Sequence, residues 1–293
     1  MNVIKNIRIR GLDKEWIFLK IPLICFWFGI FRHILSKNYK VPIPSGICKI
    51  VNCANLIEGH GLFFMIVASS LLCIMYLLDF KMKWTTLGLF SLSVIVFTSE
   101  DSSGILNRSG TFSFIFLAQS FAYWINGSNL LKLKYSRIQY SIQAVVVGYF
   151  LSGCSKLLDS GLSWPSDGSR ITLQVLKSFY YHYYTTLDST ELVKAYEIVQ
   201  FLTESQNILV VLLAGSLTLE LFALTAAVNK SYARFYGIAL LLMHIGIYYF
   251  MDILIVSFAV PMVFVMINPF YLAVFLYDKM LKKPTFPHTL KSM

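Results

Sequence analysis

Charge is scarce in this chain: only 14% of its 293 residues are Asp, Glu, Lys or Arg, where an ordinary soluble domain carries about 25%. So few charges cannot cover the surface of a water-soluble protein of this length. Acid is scarcer than base, with 15 Asp and Glu against 25 Lys and Arg, and the five histidines are scattered. Metal ligands come in groups at set spacings, so no metal is expected. There is no Gly-rich phosphate loop, no HExxH, no CxxC and no nucleophile elbow. The chain carries no conventional soluble-enzyme signature.

Apolar residues are abundant instead, at 57% of the chain, with a mean hydropathy of +0.65. Apolar stretches near the ~20 residues that cross a bilayer recur from end to end. The short alternating segments of a transmembrane barrel are missing. The expected fold is an all-α polytopic membrane protein in a lipid bilayer, with about eight transmembrane helices. These fall roughly at 16–35, 60–79, 84–99, 110–125, 138–157, 207–228, 235–251 and 253–277. No internal repeat or low-complexity segment interrupts residues 1–293, which read as one transmembrane domain without a separate soluble one. The basic N-terminus precedes a long apolar run without a small-residue cleavage site, so the first helix is expected to remain.

The net charge of +10 lies mainly in short loops and tails. That pattern suits topology signals and lipid headgroups; nucleic acid would need a contiguous basic face, and none is expected as a partner. Lys81 and Lys83 follow the second span, Lys132, Lys134 and Arg137 the fourth, and Lys230 and Arg234 the sixth. With eight spans these share one side with both termini, which are therefore expected in the cytoplasm. The segment from about 158 to 206 then lies outside. It holds two amphipathic stretches, "ITLQVLKSFYYHYY" and "STELVKAYEIVQFL", which read as interfacial or re-entrant helices forming an outer-face lid.

Cys25, Cys73 and Cys154 lie in or beside apolar helices, where cysteine packs as a small hydrophobe. Cys48 and Cys53 share the loop "GICKIVNC"; the spacing permits a disulfide in an oxidising compartment and does not require one.

An ionisable group inside a membrane span costs several kcal/mol unless partnered, so each is a candidate for function. Glu220 lies within "GSLTLELFALTAA" and reads equally as a hydrogen bond between helices. His244 lies within "LLMHIGIYYFMDI", with Asp252 about two turns on along a similar face. Arg32, His33 and His60 sit at span ends, where snorkelling explains them. Asn107 and Arg108, near Glu100 and Asp101, form either a local ion pair or a clamp for an anion or carbonyl. Lys156 closes the fifth span in "GCSKLLDSGLSWPSDGS". It reads either as a snorkelled anchor or as a general base or nucleophile, since low dielectric makes a lysine give up its proton more readily.

The stretch "YFLSGCSKLLDSGLSWPSDGS" resembles the HTTM family, the membrane domain shared by vitamin K-dependent gamma-carboxylase and bacterial relatives such as the SdpB-like proteins. It has small residues, Lys-Leu, an acid, then Trp and Gly at similar spacing. A second likeness lies in "LELFALTAAVNKSYARFYGIALLLMHIGIYYFMDI", and a third in "NRSGTFSFIFLAQS", where Asn107, Arg108 and Ser109 replace the carboxylase's Asn-His-Ser. The resemblance implies a membrane enzyme with Lys156, His244 and Arg108 as catalytic groups. It places Asn107, Trp164, Asp252 and Glu220 in a substrate or cofactor pocket. It implies a reduced, vitamin K-like quinone as cofactor and a secreted peptide or protein as substrate at the outer face. A bacterial inner membrane is the location it implies. The SdpB-like relatives imply the alternative, a non-catalytic component that matures or exports a secreted antimicrobial peptide with a small partner protein. A transporter would show inverted repeats and paired broken helices, which this sequence lacks.

Overall fold

The computed structural model describes residues 2–35, 44–51, 53, 59–102, 110–251 and 256–281. Among them there are helices and turns and no strand. In chain order the helices are α1 (Asn2–Leu35), α2 (Gly59–Leu77), α3 (Met82–Ser102), α4 (Gly110–Asn126), α5 (Leu130–Ser160), α6 (Gly168–Thr186), α7 (Thr190–Glu204), α8 (Gln206–Phe222), α9 (Lys230–Met251), α10 (Val256–Pro261) and α11 (Pro269–Leu281). Short 3₁₀ turns occupy Gly46–Lys49, Gly161–Ser166 and Ala223–Ala227, and a π-helical segment, Met262–Ile267, joins α10 to α11.

Among the described residues, six helical stretches are long and apolar enough to cross a membrane: His60–Leu77, Met82–Ser102, Leu130–Ser166, Gln206–Ala227, Lys230–Met251 and Phe258–Tyr277. They mark the chain as a multi-pass membrane protein. Two of the eight expected spans are not among the six. One, expected at 110–125, corresponds to α4, described over Gly110–Asn126. The other, expected at 16–35, corresponds to α1 and carries Lys20.

Helices in lipid gain little from apolar burial against one another, so polar bonds and close packing hold them. α5 is central, lying against α1, α4, α8 and the π segment. Trp27 of α1 donates its indole N–H to Ser69 Oγ of α2 at 2.7 Å. Tyr76 of α2 donates to Gln119 Oε1 of α4 at 2.8 Å, and Gln119 Nε2 donates to Ser141 Oγ of α5 at 2.9 Å. Phe116 takes the edges of both Trp27 and Tyr76. α3 carries many hydroxyls and remains compatible with lipid because Thr85, Thr86, Ser91, Ser99 and Ser102 donate to carbonyls four residues earlier.

The sequence reading misses the largest polar network, at the end of the bundle where α2 turns into α3. Lys20, with a side chain only 3% exposed, donates to the carbonyls of Tyr76 and Leu77, at 3.2 and 2.9 Å, and to Asp79 Oδ2 at 2.9 Å. It thereby satisfies the Leu77 carbonyl at the end of α2 and adds a second donor to that of Tyr76, which also accepts the Asp79 N–H. Trp16 Nε1 donates to Asp79 Oδ1 at 3.0 Å, and the Arg137 guanidinium lies 4.4 Å above the Trp16 ring. Asp13 receives Lys134 and Arg137, while Glu15 receives Lys230 at 2.7 Å. Asn268, in the left-handed region at φ +50°, donates from Nδ2 to the Glu15 carbonyl and accepts the Tyr271 N–H, capping α11.

At the opposite end, Cys48 and Cys53 are disulfide-bonded, with Cα atoms 5.2 Å apart. Their loop is fastened to α3 by Ser45, whose N–H donates to Ser102 Oγ and whose hydroxyl donates to Asp101. On that end too, α6 and α7 form a hairpin around Val175, Phe179, Ala195 and Leu202, which packs on Leu209 of α8 and Phe250 of α9. Asp188 starts α7 by accepting the Thr190 N–H; that bond and the Thr190 hydroxyl hold its carboxyl below the ordinary range.

Replacing Lys20 by Met should cost about 2–3 kcal/mol, because it removes a buried charged donor that the Tyr76 and Leu77 carbonyls and Asp79 share. Asp79→Asn should cost less, since the Asp79 side chain is 47% exposed. Thermal unfolding of both variants in detergent checks this; a K20M loss no larger than that of D79N would show that Lys20 is not the keystone of the network.

Candidate functional site

Lys156 lies one turn before the end of α5, at the end of the bundle opposite Asp79. Arg137, on the same helix, is about 28 Å away at 1.5 Å per residue. Across from Lys156 is Glu220 of α8. Its two carboxylate oxygens each accept from Lys156 Nζ at 2.6 Å, a bidentate charge-assisted bond of the strong kind. The Glu220 side chain is 6% exposed and that of Lys156 is 28%, so the carboxylate is the enclosed partner and the amine faces the opening.

Two glycines allow this approach. A Cβ on Gly153 would come within 3.1 Å of both Glu220 Cβ and the Leu221 side chain, so only glycine lets α5 and α8 come this close. Gly161 ends α5 at φ +61°, ψ −154°, a conformation essentially confined to glycine. That turn directs the Gly161–Ser166 segment back across the helix end and sets the Trp164 ring 4.7 Å from Lys156 Nζ, in cation–π range. Gly168, at the start of α6, rests against Leu209, which fixes this segment to α8.

Deeper in the bundle, two turns back along the same face of α5, the Tyr149 hydroxyl lies 2.8 Å from His244 Nε2 of α9 and 3.5 Å from Met262 Sδ of the π segment. Imidazole nitrogen is a better acceptor than a thioether, so the geometry favours Tyr149 donating to Nε2, which leaves the proton of His244 on Nδ1. His244 Nδ1 is buried and has no hydrogen-bond partner among the described residues. The Phe258 ring packs 5.6 Å from Tyr149. Glu220 is within electrostatic range of Tyr149, and Lys156 within range of His244.

The structure thus gathers Lys156, Glu220 and Trp164 into one constellation and puts His244 beside it through Tyr149. Asn107, Arg108 and Asp252 lie outside the described residues. His60 is exposed at the start of α2, away from this constellation. Tyr149 is the member that sequence reasoning misses; its spacing of seven residues from Lys156, two turns along one helix face, is the signal that finds it. Met262 gives no comparable signal. Among the described residues, no three His, Cys, Asp or Glu side chains gather as metal ligands would.

Lys156→Ala leaves Glu220 enclosed without its cation. The expected loss is about 2–3 kcal/mol, below the 3–5 of a fully buried pair because Lys156 is partly solvated. The double change K156M/E220M removes both charges and should recover most of that loss, as apolar replacements of buried pairs do. Chemical or thermal unfolding of the three proteins decides this: a double variant no better than K156A means that the pair is not the source of the loss.

Compared with family models, with characterised proteins and with solved structures, the chain finds no match.

Proposed function

We propose that the chain is a membrane-embedded enzyme similar to vitamin K-dependent gamma-carboxylase, in which Lys156 acts as the base toward a reduced, lipid-soluble quinone. Its substrate is a secreted peptide or protein at the outer face. The observation that carries this reading is the partly open Lys156 amine, held by an enclosed carboxylate beneath an aromatic ring. A structural anchor needs no such ring, and it needs no second titratable pair two turns deeper.

The residues present fit a quinol. Trp164 offers a plate for an aromatic ring, and His244 Nδ1 is a buried ring nitrogen without a partner among the described residues. When bound, a reduced quinone supplies the electrons that oxygen accepts. The chain's own part is proton handling and positioning. Once its ammonium proton has passed to Glu220, Lys156 takes a proton at Nζ from an acidic hydroxyl, and Glu220 fixes the direction in which Nζ points. Trp164 keeps bulk water from the amine, and Tyr149 sets the tautomer of His244 through Nε2. Arg108 stands where the carboxylase has a histidine; a guanidinium stays charged, so its role here is to hold an anion and not to relay a proton.

The same reading puts the Lys156 end of the bundle outside and both termini in the cytoplasm of a bacterial cell. Two independent features support that orientation. The Asp79 end carries Lys81, Lys83, Lys132, Lys134, Arg137, Lys230 and Arg234, as cytoplasmic ends do. The Cys48–Cys53 disulfide sits at the Lys156 end, and disulfides persist in oxidising compartments. The α6–α7 hairpin then becomes an outer-face lid.

One observation favours a second reading, a non-catalytic component for peptide maturation or export: Glu220 satisfies the Lys156 amine with both oxygens, as an anchor would. Lys156→Arg separates the two, because arginine keeps the ion pair and cannot serve as a base. In membranes supplied with a reduced naphthoquinone, wild-type protein should show quinol-dependent oxygen uptake above that of membranes lacking it. K156R should lose at least about 100-fold of that rate, the usual contribution of a general base. Uptake no greater than in control membranes, or K156R equal to wild type, sinks the enzyme reading in favour of the anchor. Mass spectrometry of lipids co-purifying with the protein should find a quinone.

A further inference from the structure

The α6–α7 hairpin differs in charge from the rest of the chain. From 167 to 206 it holds five acidic residues, Asp167, Asp188, Glu191, Glu197 and Glu204. Against them stand three basic ones, Arg170, Lys177 and Lys194. The hairpin is therefore net negative within a chain whose formal charge is +10. Helices that lie on a membrane surface carry the opposite sign, with Lys and Arg on the polar face drawn to anionic headgroups. The sign alone argues against a lipid surface as what this face meets.

Its side chains are arranged for something else. On α7, Val193, Glu197, Gln200 and Glu204 recur at helical spacing along one exposed stripe, with Tyr196 beside it. Glu191 is paired with Lys194 at 2.8 Å, whereas Glu197 and Glu204 form no ion pair among the described residues; Glu204 only accepts from Gln200. The Tyr196 and Tyr180 hydroxyls bond at 2.9 Å, so the aromatic surface continues onto α6. There Tyr181 and Tyr184 are 67% and 71% exposed, and none of the hairpin's own core needs them. Carboxylates interleaved with open tyrosine faces are the chemistry that recognises Lys and Arg side chains, by ion pairing and by cation–π contact.

We propose that the exposed face of the α6–α7 hairpin is a docking surface for a cationic peptide. This rests on the reading above only in placing the hairpin outside the bilayer; it does not require chemistry at Lys156. The peptide is held on the same side of the bundle as Lys156, because the hairpin is tied to that site through the Gly161–Ser166 turn. Carboxylates of the surface select positive charge, and the tyrosines add contact area with little conformational cost.

The test uses the full chain in nanodiscs of phosphatidylcholine, which carries no net charge, and a short fluorescein-labelled peptide of repeating Lys-Gly-Ser. A counterpart with Glu in place of each Lys is the control. Fluorescence anisotropy should show binding of the lysine peptide and not of the glutamate peptide, weakening as salt is raised. The charge reversal E197K/E204K should weaken binding about tenfold or more, and Y181A/Y184A should weaken it severalfold. These positions are exposed, so the variants are expected to fold, and their melting temperatures verify that. Absence of binding by either peptide, the outcome if this face lies in the bilayer, overturns the proposal. So does an affinity that neither pair of substitutions alters. Because binding is read without turnover, its failure is separate from failure of the quinol-dependent oxygen uptake.

Discussion

A charge inside this bundle is stable only where another helix brings its partner, because neither lipid nor the apolar core supplies one. That constraint decides which helices meet. Lys20 of α1 needs the end of α2 and Asp79. Arg137 of α5 needs Asp13 of α1, and Glu15 needs Lys230 from the start of α9. Each pair joins segments far apart in sequence. Together they tie the first helix to the second, fifth and ninth before any fine packing is considered. Generic apolar contact would allow the helices to rotate; the ion pairs do not, since a rotation of even one residue would strand a charge.

The two ends of α5 apply the constraint differently. At the Asp79 end, Arg137 meets Asp13 and stacks on Trp16, and Lys20 has three acceptors and two aromatic rings. Around Lys156 the described residues set one carboxylate, Glu220, and one ring, Trp164, and the neighbouring His244 Nδ1 goes unmet among them. A network with this many pairs resists change and suits a scaffold, even with Arg137 Nε unmet among the described residues. A lean one, with an amine partly open and a ring nitrogen unused, leaves bonding capacity for a molecule that arrives later. The contrast within a single helix is the physical ground for seeking chemistry at Lys156 and stability at Arg137.

Much of this was legible in the sequence, for unequal reasons. The spans could be read because bilayer thickness imposes a minimum run of apolar residues, and α2, α3, α5, α8 and α9 meet it. α1 and α4 were read as spans from their apolar runs in the same way, and α1 carries Lys20 within its run. Lys156, Glu220 and His244 stood out individually, because an ionisable group in an apolar run has to be explained. Their pairing did not stand out: 64 positions separate Lys156 from Glu220, and periodicity does not fix how α8 is rotated against α5. Lys20 was hidden by its place in a basic N-terminal region, where cations signal orientation, and Tyr149 by the many tyrosines that line membrane interfaces.

Between the two ends of α5 the buried face of the helix is apolar. Ile142, Val145 and Val146 are buried there, beside Ile115 and Phe116 of α4, and the polar chain from Tyr76 stops at Ser141, about two turns short of Tyr149. No hydrogen-bonded chain among the described residues joins the two ends along that face, and the roughly 28 Å between Arg137 and Lys156 weakens any effect of charge at one on the other. Protonation at Lys156 is therefore free to change without disturbing the pairs that hold α1 in place. The site can be lean because the scaffold that supports it is anchored elsewhere, about 28 Å along the same helix.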